Sequence, residues 1–372
     1  MADKVGQTRV GGEIEDGQWR VRMGVGKASE PGQRIQRRRS SSREVAKLAG
    51  VSQATVSNVL NRPERVALAT YQRVIEAMQS LDFVVNEPAR SLRGGTVSTL
   101  GMIVLDISNP FWGELIRGAA EEAAKRRWAV MVCSSDESLD REDQFMGLLE
   151  SRQVGAILVS PASIESQVFE RASSSRHTAL ILLDSPGPDS RMDSVAVDDQ
   201  HGARLAAEYL LAMGHRNIAF VNGPRIRTWC LNRASGFLDA VAESPEDIRV
   251  TEFTVPTMTA REGLGAVPKI LDQAPEVTAV FCANDMLALG VLRGLIHHGI
   301  KVPEAMSLVG YDDAPFAELL SPPLTTVRQN PFELGRRAAE IAFERLEQPK
   351  ASPLVVLLEP ELMVRESVRR IG

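Results

Sequence analysis

The sequence predicts an all-α helix-turn-helix headpiece followed by an α/β domain of two lobes, each a doubly wound parallel sheet. Three observations carry this. Two short amphipathic helix patterns meet at Gly50, the net charge reverses sign near residue 93, and from Thr99 onward β-rich apolar runs alternate with helix-period stretches.

In the headpiece, Val45, Leu48 and Ala49 follow helical spacing, and Val56, Val59 and Leu60 repeat it after the break. Small Ala46 allows close approach, Gly50 permits the turn, and Ser42 and Ser52 are suited to N-capping. A third helix, from about Thr70 to Leu81, supplies Val74, Ile75, Met78 and Leu81 to close the core. The second helix then exposes Gln53, Ala54, Thr55, Ser57 and Asn58, short polar side chains of the kind that meet base edges and phosphates. An αα-hairpin inside a larger core has the same pattern. Charge separates the two: residues 34–93 carry a net +6, residues 1–33 balance, and residues 94–372 carry −11. The positive end suits phosphate and the remainder is repelled by it.

Residues 1–40 lack apolar periodicity and end in the basic run Arg37, Arg38, Arg39, the pattern of a disordered tail. Gly24 to Lys27 resembles a phosphate loop but lacks the first glycine, the closing Ser or Thr and the preceding strand. Residues 86–96 form a linker too short for an independent helix. Beyond it, LGMIVLD, AVMVCSS, GAILVSP and TALILLD read as strands interleaved with helices over about 114–127 and 141–152. A second set follows: a helix over 202–213, the strand NIAFVNG, a helix near 232–241, the strand VTAVFCAN, a helix over 285–298 and the strand SLVGYD.

Cys133, Cys230 and Cys282 have no metal-ligand spacing and read as buried thiols. No signal core and no run of about 18 apolar residues is present, so a cytoplasmic protein without membrane contact is expected. Neither a G-x-S-x-G elbow, a paired-His metal motif nor a dinucleotide fingerprint occurs, so neither catalysis, a metal nor a cofactor is expected. His201, His215, His297 and His298 lie on helical segments or their ends, where surface or capping roles are expected.

The motifs REVAKLAGVSQATVSNVLN, NEPARSLR, LGMIVLDISNPFW, VDDQHGARLAAEYLLAMGHRNIAFVNGP, CANDMLALGVLRGL, SLVGYDD and PPLTTVRQ, in this order, resemble the lac repressor/galactose repressor family of bacterial transcription factors. The resemblance spans about Ser41 to Ser367. It implies a DNA-binding headpiece over 41–85, a hinge helix over 86–96, and an effector-binding and dimerisation domain over 97–372 of periplasmic-binding-protein-like architecture. The N-lobe would hold 97–197 and 330–358, the C-lobe 198–329 and 359–372, with crossings near Val197, Gln329 and Pro360. DNA contacts would come from Ser52, Gln53, Ala54, Thr55, Ser57, Asn58, Asn61, Thr70, Ala89, Leu92 and Arg93. Leu92 would wedge into a minor-groove base step. The expected partners are double-stranded, pseudo-palindromic operator DNA, a second copy of the chain and a small effector. Two positions depart from the pattern: Asn58 replaces a common Arg, favouring adenine over guanine edges, and Ala67 replaces a capping Ser. No heptad segment follows Ser367, so no tetramerisation helix is expected.

Polar groups at the C-terminal ends of the strands face the crevice between such lobes. Asp106, Ser108, Asn109, Phe111, Ser160, Asp184, Arg233, Asn284, Asp312 and Gln329 fit that position. The resemblance casts Arg233 as a fork for ligand hydroxyls or a carboxylate, and Asp184, Asn284 and Asp312 as partners of vicinal hydroxyls. Phe111, with Trp112 and Trp229 as further candidates, would face a sugar ring, while Asp285 reads as a helix-starting residue. Mixed Arg and Asp favour a neutral sugar or nucleoside. Arg225, Arg227 and Arg233 together keep a phosphate, a carboxylate or a purine-like corepressor open.

Overall fold

The computed structural model describes residues 14–15, 18–19, 40–83, 97–174, 178–185 and 192–371. They fall into two compact units that divide between Asn86 and Glu87. The tail is not wholly irregular. Strands β1 (Ile14–Glu15) and β2 (Gln18–Trp19) pair antiparallel with Glu15 opposite Gln18. The rest of residues 1–39, on which the expectation of a disordered tail falls, lies outside the described residues.

The headpiece comprises α1 (Ser42–Ala49), α2 (Gln53–Asn61) and α3 (Leu68–Ser80). Val45, Ala46, Ala49, Val56, Val59, Val74, Ala77 and Met78 form its buried core. Ser41, not Ser42, caps α1: its hydroxyl accepts from the Glu44 amide while Glu44 reaches back to the Ser41 amide, a reciprocal box. Gly50 ends that helix at φ 64°, which a side chain tolerates poorly. Leu48 departs from the expected core and is 56% exposed, because the buried stripe runs through Val45, Ala46 and Ala49. Ala67 precedes α3 without a side-chain cap, at a cost of about 1 kcal/mol relative to Ser.

The second unit begins with β3 (Val97–Val104), α4 (Pro110–Lys125), β4 (Ala129–Ser134), α5 (Leu139–Ser151), β5 (Val154–Val159), α6 (Val168–Ser174), β6 (Ala179–Leu183) and β7 (Asp193–Val197). It continues with α7 (Asp199–Ala212), β8 (Asn217–Asn222), α8 (Thr228–Ala242), β9 (Arg249–Thr254), α9 (Ala260–Gln273), β10 (Ala279–Cys282), α10 (Asp285–His297), β11 (Ser307–Asp312) and β12 (Thr325–Arg328). The last elements are α11 (Pro331–Glu347), β13 (Val355–Leu358) and β14 (Glu361–Met363). One six-stranded sheet has the order β13-β7-β6-β5-β3-β4 and is parallel throughout. The other, β14-β12-β11-β10-β8-β9, is parallel except for its antiparallel edge β14. We call them the N-lobe and C-lobe sheets.

Strands covered by helices on both faces read as unbroken apolar runs, and every residue of β5 is buried. The chain passes between the sheets after β7, after β12 and after β13. After the second passage α11 packs on α4 of the N-lobe. There a Cβ at Gly118 would lie 1.9 Å from the Phe332 carbonyl oxygen, and one at Gly335 1.9 Å from that of Leu115. Only glycine lets these two backbones meet. Residues 249–254, 260–273 and 331–347 were not anticipated as elements; Pro268 lies inside α9 and disguises it as a break. His215, expected in a surface or capping role, is fully buried between Thr278 Oγ1 at 2.9 Å and the Arg369 carbonyl at 3.2 Å.

Candidate functional site

On the headpiece, α2 turns Val56 and Val59 into the core and leaves Gln53, Ala54 and Asn58 exposed, with Thr55 and Ser57 half-buried. The Ser52 hydroxyl accepts from the Thr55 amide at 3.1 Å and shares a 2.9 Å hydrogen bond with Thr55 Oγ1, so both side chains are engaged in capping. Thr70 sits half-buried in the first turn of α3. Asn61 ends α2, while its side chain, together with Ala89, Leu92 and Arg93, lies outside the described residues.

In the second unit, a cavity of about 250 Å³ lies between the lobes at the C-terminal ends of the strands. Of the expected residues, Asp106, Asn109, Phe111, Asp184, Arg233, Asn284, Asp312 and Gln329 line it, together with Trp112 and Trp229. The rings of Phe111 and Trp112 meet edge to face with centroids 5.0 Å apart. Three buried atoms of the lining have no partner among the described residues: Asp184 Oδ1, Gln329 Oε1 and Trp229 Nε1. Buried polar atoms are ordinarily paired, so these two acceptors and one donor are available to a ligand.

Arg233 is the centre of the charge arrangement and is only 3% exposed. Its Nε donates to Asp199 Oδ1 at 2.7 Å, its Nη1 to the Ala283 carbonyl at 2.6 Å, and the guanidinium lies 3.9 Å from the Tyr311 ring centroid. Asp312 Oδ1 is 3.9 Å from Nη1 and accepts from Gln329 Nε2 at 2.5 Å. Burial pushes Asp184 well above the usual carboxylate range, with the Asp199 charge adding to the rise against the pull of Arg233. Burial likewise pushes Asp312 up to about 8, against the pull of Arg233. Burial works against the charge of Arg233 itself, yet Asp199, Tyr311, Asp312 and Asp184 together hold its pKa above the ordinary value.

These shifts set a stability profile. A carboxyl whose folded pKa exceeds its unfolded value contributes fully below the unfolded pKa and loses that contribution as pH rises through the folded one. Asp312 therefore weakens the fold as pH climbs toward about 8, by up to about 1.4 kcal/mol per pH unit. His215 acts oppositely: burial lowers it to about 4, so its contribution is lost as pH falls from about 6.5. Urea unfolding is expected to show stability declining above pH 6.5, and Asp312→Asn should flatten that decline. An unchanged slope in the variant would show that Asp312 is ionised in the native state.

Several expectations need correction. Ser108 does not line the cavity; its amide and hydroxyl bond the Asp106 carboxylate at 2.8 and 2.9 Å. Ser160 is buried beside the N-lobe sheet, its amide bonded to the Ile103 carbonyl at 3.0 Å. Asn284 lines the cavity, but its carbonyl oxygen caps α10 through the Leu287 amide and its Nδ2 donates to the Met258 carbonyl. Arg233 is not a free fork, since two of its three nitrogens are engaged within the protein. Asp285, expected as a structural residue at a helix start, is the first residue of α10 and accepts from Thr326 Oγ1 and the Ala314 amide.

Sequence reasoning missed Asp136, Glu137, Thr257, Met258 and Thr259 in the lining, and Asp199 behind Arg233. Asp136 and Glu137 follow the C-terminal end of β4, the position at which polar residues face such a crevice. The loop before α9 gave none. Four of the nine described non-glycine residues with positive φ line the cavity: Asp136, Glu137, Asp184 and Asp312.

A three-helix headpiece with an exposed polar recognition face, in one chain with a two-lobed domain holding a polar-and-aromatic cavity, defines a DNA-binding transcriptional regulator with a ligand-binding module. Residues 43–86 match the bacterial regulatory proteins of the lacI family, and residues 207–368 match the periplasmic-binding-protein-like domain. The HTH-type transcriptional repressor PurR of Pasteurella multocida (strain Pm70) is 32% identical over 328 residues, covering 88% of this chain and 98% of its own. A LacI family transcriptional regulator from Enterococcus faecalis V583, solved with bound ribose, is 32% identical with a TM-score of 0.66, over 74% of this chain and all of that one. The lac repressor dimer bound to operator and the anti-inducer ONPF shares the fold, with a TM-score of 0.80 at 24% identity over 89% of this chain and all of its own. The chain belongs to the LacI family of bacterial transcriptional regulators.

Proposed function

We propose that this protein is a repressor that binds a pseudo-palindromic double-stranded operator as a homodimer, in the cytoplasm at the nucleoid, and responds to a small effector in the interlobe cavity. The observation that carries the DNA reading is α2, with Val56 and Val59 buried and Gln53, Ala54 and Asn58 presented outward. Gln53, Ala54 and Asn58 set sequence preference. Ser52 and Thr55, engaged in capping, hold the helix start against phosphate, with Ser57, Asn61 and Thr70 as further backbone contacts. Ala89, Leu92 and Arg93 supply the minor-groove contacts that the family resemblance implies.

The effector we infer is an uncharged, hydroxyl-rich molecule of monosaccharide or nucleoside size. At about 250 Å³ the cavity is smaller than the roughly 300–1,000 Å³ pockets of drug-sized ligands. Arg233 is already compensated by Asp199, so the described lining holds no free cation to pair an anionic ligand, while the Asp184 and Asp312 carboxyls, pushed toward their uncharged form by burial, are hydrogen-bond partners suited to hydroxyls. Asp184 Oδ1 and Gln329 Oε1 accept from ligand hydroxyls, Trp229 Nε1 donates, and Phe111 and Trp112 cover the ring. The relatives are repressors, and no catalytic step is proposed.

Gel-shift selection from genomic fragments tests the reading, followed by calorimetry with pentoses, hexoses, nucleosides and purines. Asn58→Ala should relax discrimination at one position per half-site, costing about 1–3 kcal/mol there. A uniform loss over all operator variants would place Asn58 on phosphate instead. Selection that retains no specific fragment would overturn the repressor reading.

A further inference from the structure

We propose that Glu137 is a positioning residue that fastens the two lobes across the cavity by gripping Arg227. Glu137 follows β4 of the N-lobe, and Arg227 is the residue that starts α8 of the C-lobe. Arg227 Nη2 lies 2.5 Å from Glu137 Oε2, and the two side chains are only 9% and 16% exposed. A charge pair so withdrawn from water is far more sensitive to separation than a surface pair, because each partner alone would stay partly desolvated and unpaired. Glu137 itself lines the cavity.

Two neighbouring features support the role. The Ile164 amide of the N-lobe donates to the Ile226 carbonyl of the C-lobe at 3.1 Å, so the residue before Arg227 is bonded across the same gap. The backbone is also bent to present the carboxylate: Asp136 and Glu137 take φ values of 48° and 61°, at about 1 kcal/mol or more for each non-glycine residue. Asp136 is held there by Ser134 Oγ at 2.6 Å and by Arg141. Such strain persists only where its surroundings impose it. Trp229, whose ring centroid lies 5.8 Å from the Arg227 guanidinium, ties the pair to the ligand-facing wall.

Closure of two lobes about their chain crossings is a hinge motion with two discrete arrangements, and a contact made only in one of them biases the balance. The Glu137–Arg227 pair is such a contact. This part of the inference stands on geometry alone; its consequence, that effector and operator are coupled through the clasp, rests on the function proposed above.

The test uses the full chain carrying Trp19→Phe and Trp128→Phe, which leaves Trp112 and Trp229 as its tryptophans, and reads lobe closure without DNA. Acrylamide quenching reports access to Trp112 and Trp229, which both line the cavity, and small-angle scattering reports the radius of gyration. Glu137→Gln should shift the closed-to-open ratio toward open by about tenfold or more, raising both quenching and radius. The single reversals Glu137→Arg and Arg227→Glu should do the same. The reversed pair, carrying both, should return toward the parent, which a residue serving only local packing would not do. A folded Glu137→Gln protein with parental quenching and radius would overturn the proposal, as would a reversed pair as open as either single variant. Neither arm involves operator DNA, so such a failure would leave the repressor reading standing.

Discussion

Arg233→Ala should destabilise the effector domain by about 3–5 kcal/mol, because it leaves Asp199 buried and unpaired beside Asp184 and Asp312. Urea unfolding of parent and variant measures this directly. The expected response to effector is total loss, since the same guanidinium holds the cavity wall through Asp199 and the Ala283 carbonyl. Arg233→Lys should recover only part of the stability, since a single ammonium cannot reproduce a planar fork that engages a carboxylate and a carbonyl at once. A loss below about 0.5 kcal/mol for Arg233→Ala would mean that the carboxylates are neutral without it and that the ion pair contributes little. Removing Arg233 thus perturbs folding as well as ligand contact, which a purely ligand-facing residue would not do.

Removal of the headpiece should have the largest effect on function. A chain beginning at residue 97 is expected to lose specific DNA retention by at least about 10³-fold while ligand affinity stays within about twofold of the parent. The physical basis is that the headpiece has its own buried core, centred on Val45, Val56 and Val74, and divides from the effector domain as a separate compact unit. Gel-shift with the selected fragment and calorimetry with the best-binding sugar or nucleoside provide the two readings. Retention of specific DNA by the shortened chain would relocate the DNA contact to the effector domain.

Much of this was legible in the sequence because it is local. Helical spacing of Val45, Ala49, Val56 and Val59, a glycine at the turn and a +6 net charge need only neighbours a few residues apart. Strands such as VGAILV declare themselves by continuous apolarity, and strand-end polar residues declare a crevice. Leu48 shows the limit even of local reasoning, for it has the right period on the wrong edge of the stripe. The β9 strand and the Pro268-containing α9 were missed because mixed polarity and proline conceal an edge strand and a surface helix.

The sequence by itself determined the two-part plan, the outward polar face of α2 and eight of the ten residues singled out for the cavity. Tertiary structure alone decided what those residues do. Asp199 and Arg233 are 34 positions apart and Glu137 and Arg227 are 90 apart, so no periodicity couples them. Glu137 and Arg227 meet because the two lobes converge on one cavity, and Asp199 and Arg233 because α7 and α8 pack backbone to backbone at Gly236; there burial, absent from the sequence, turns an apparent ligand fork into an internal counter-ion and pushes the Asp312 carboxyl up to about 8.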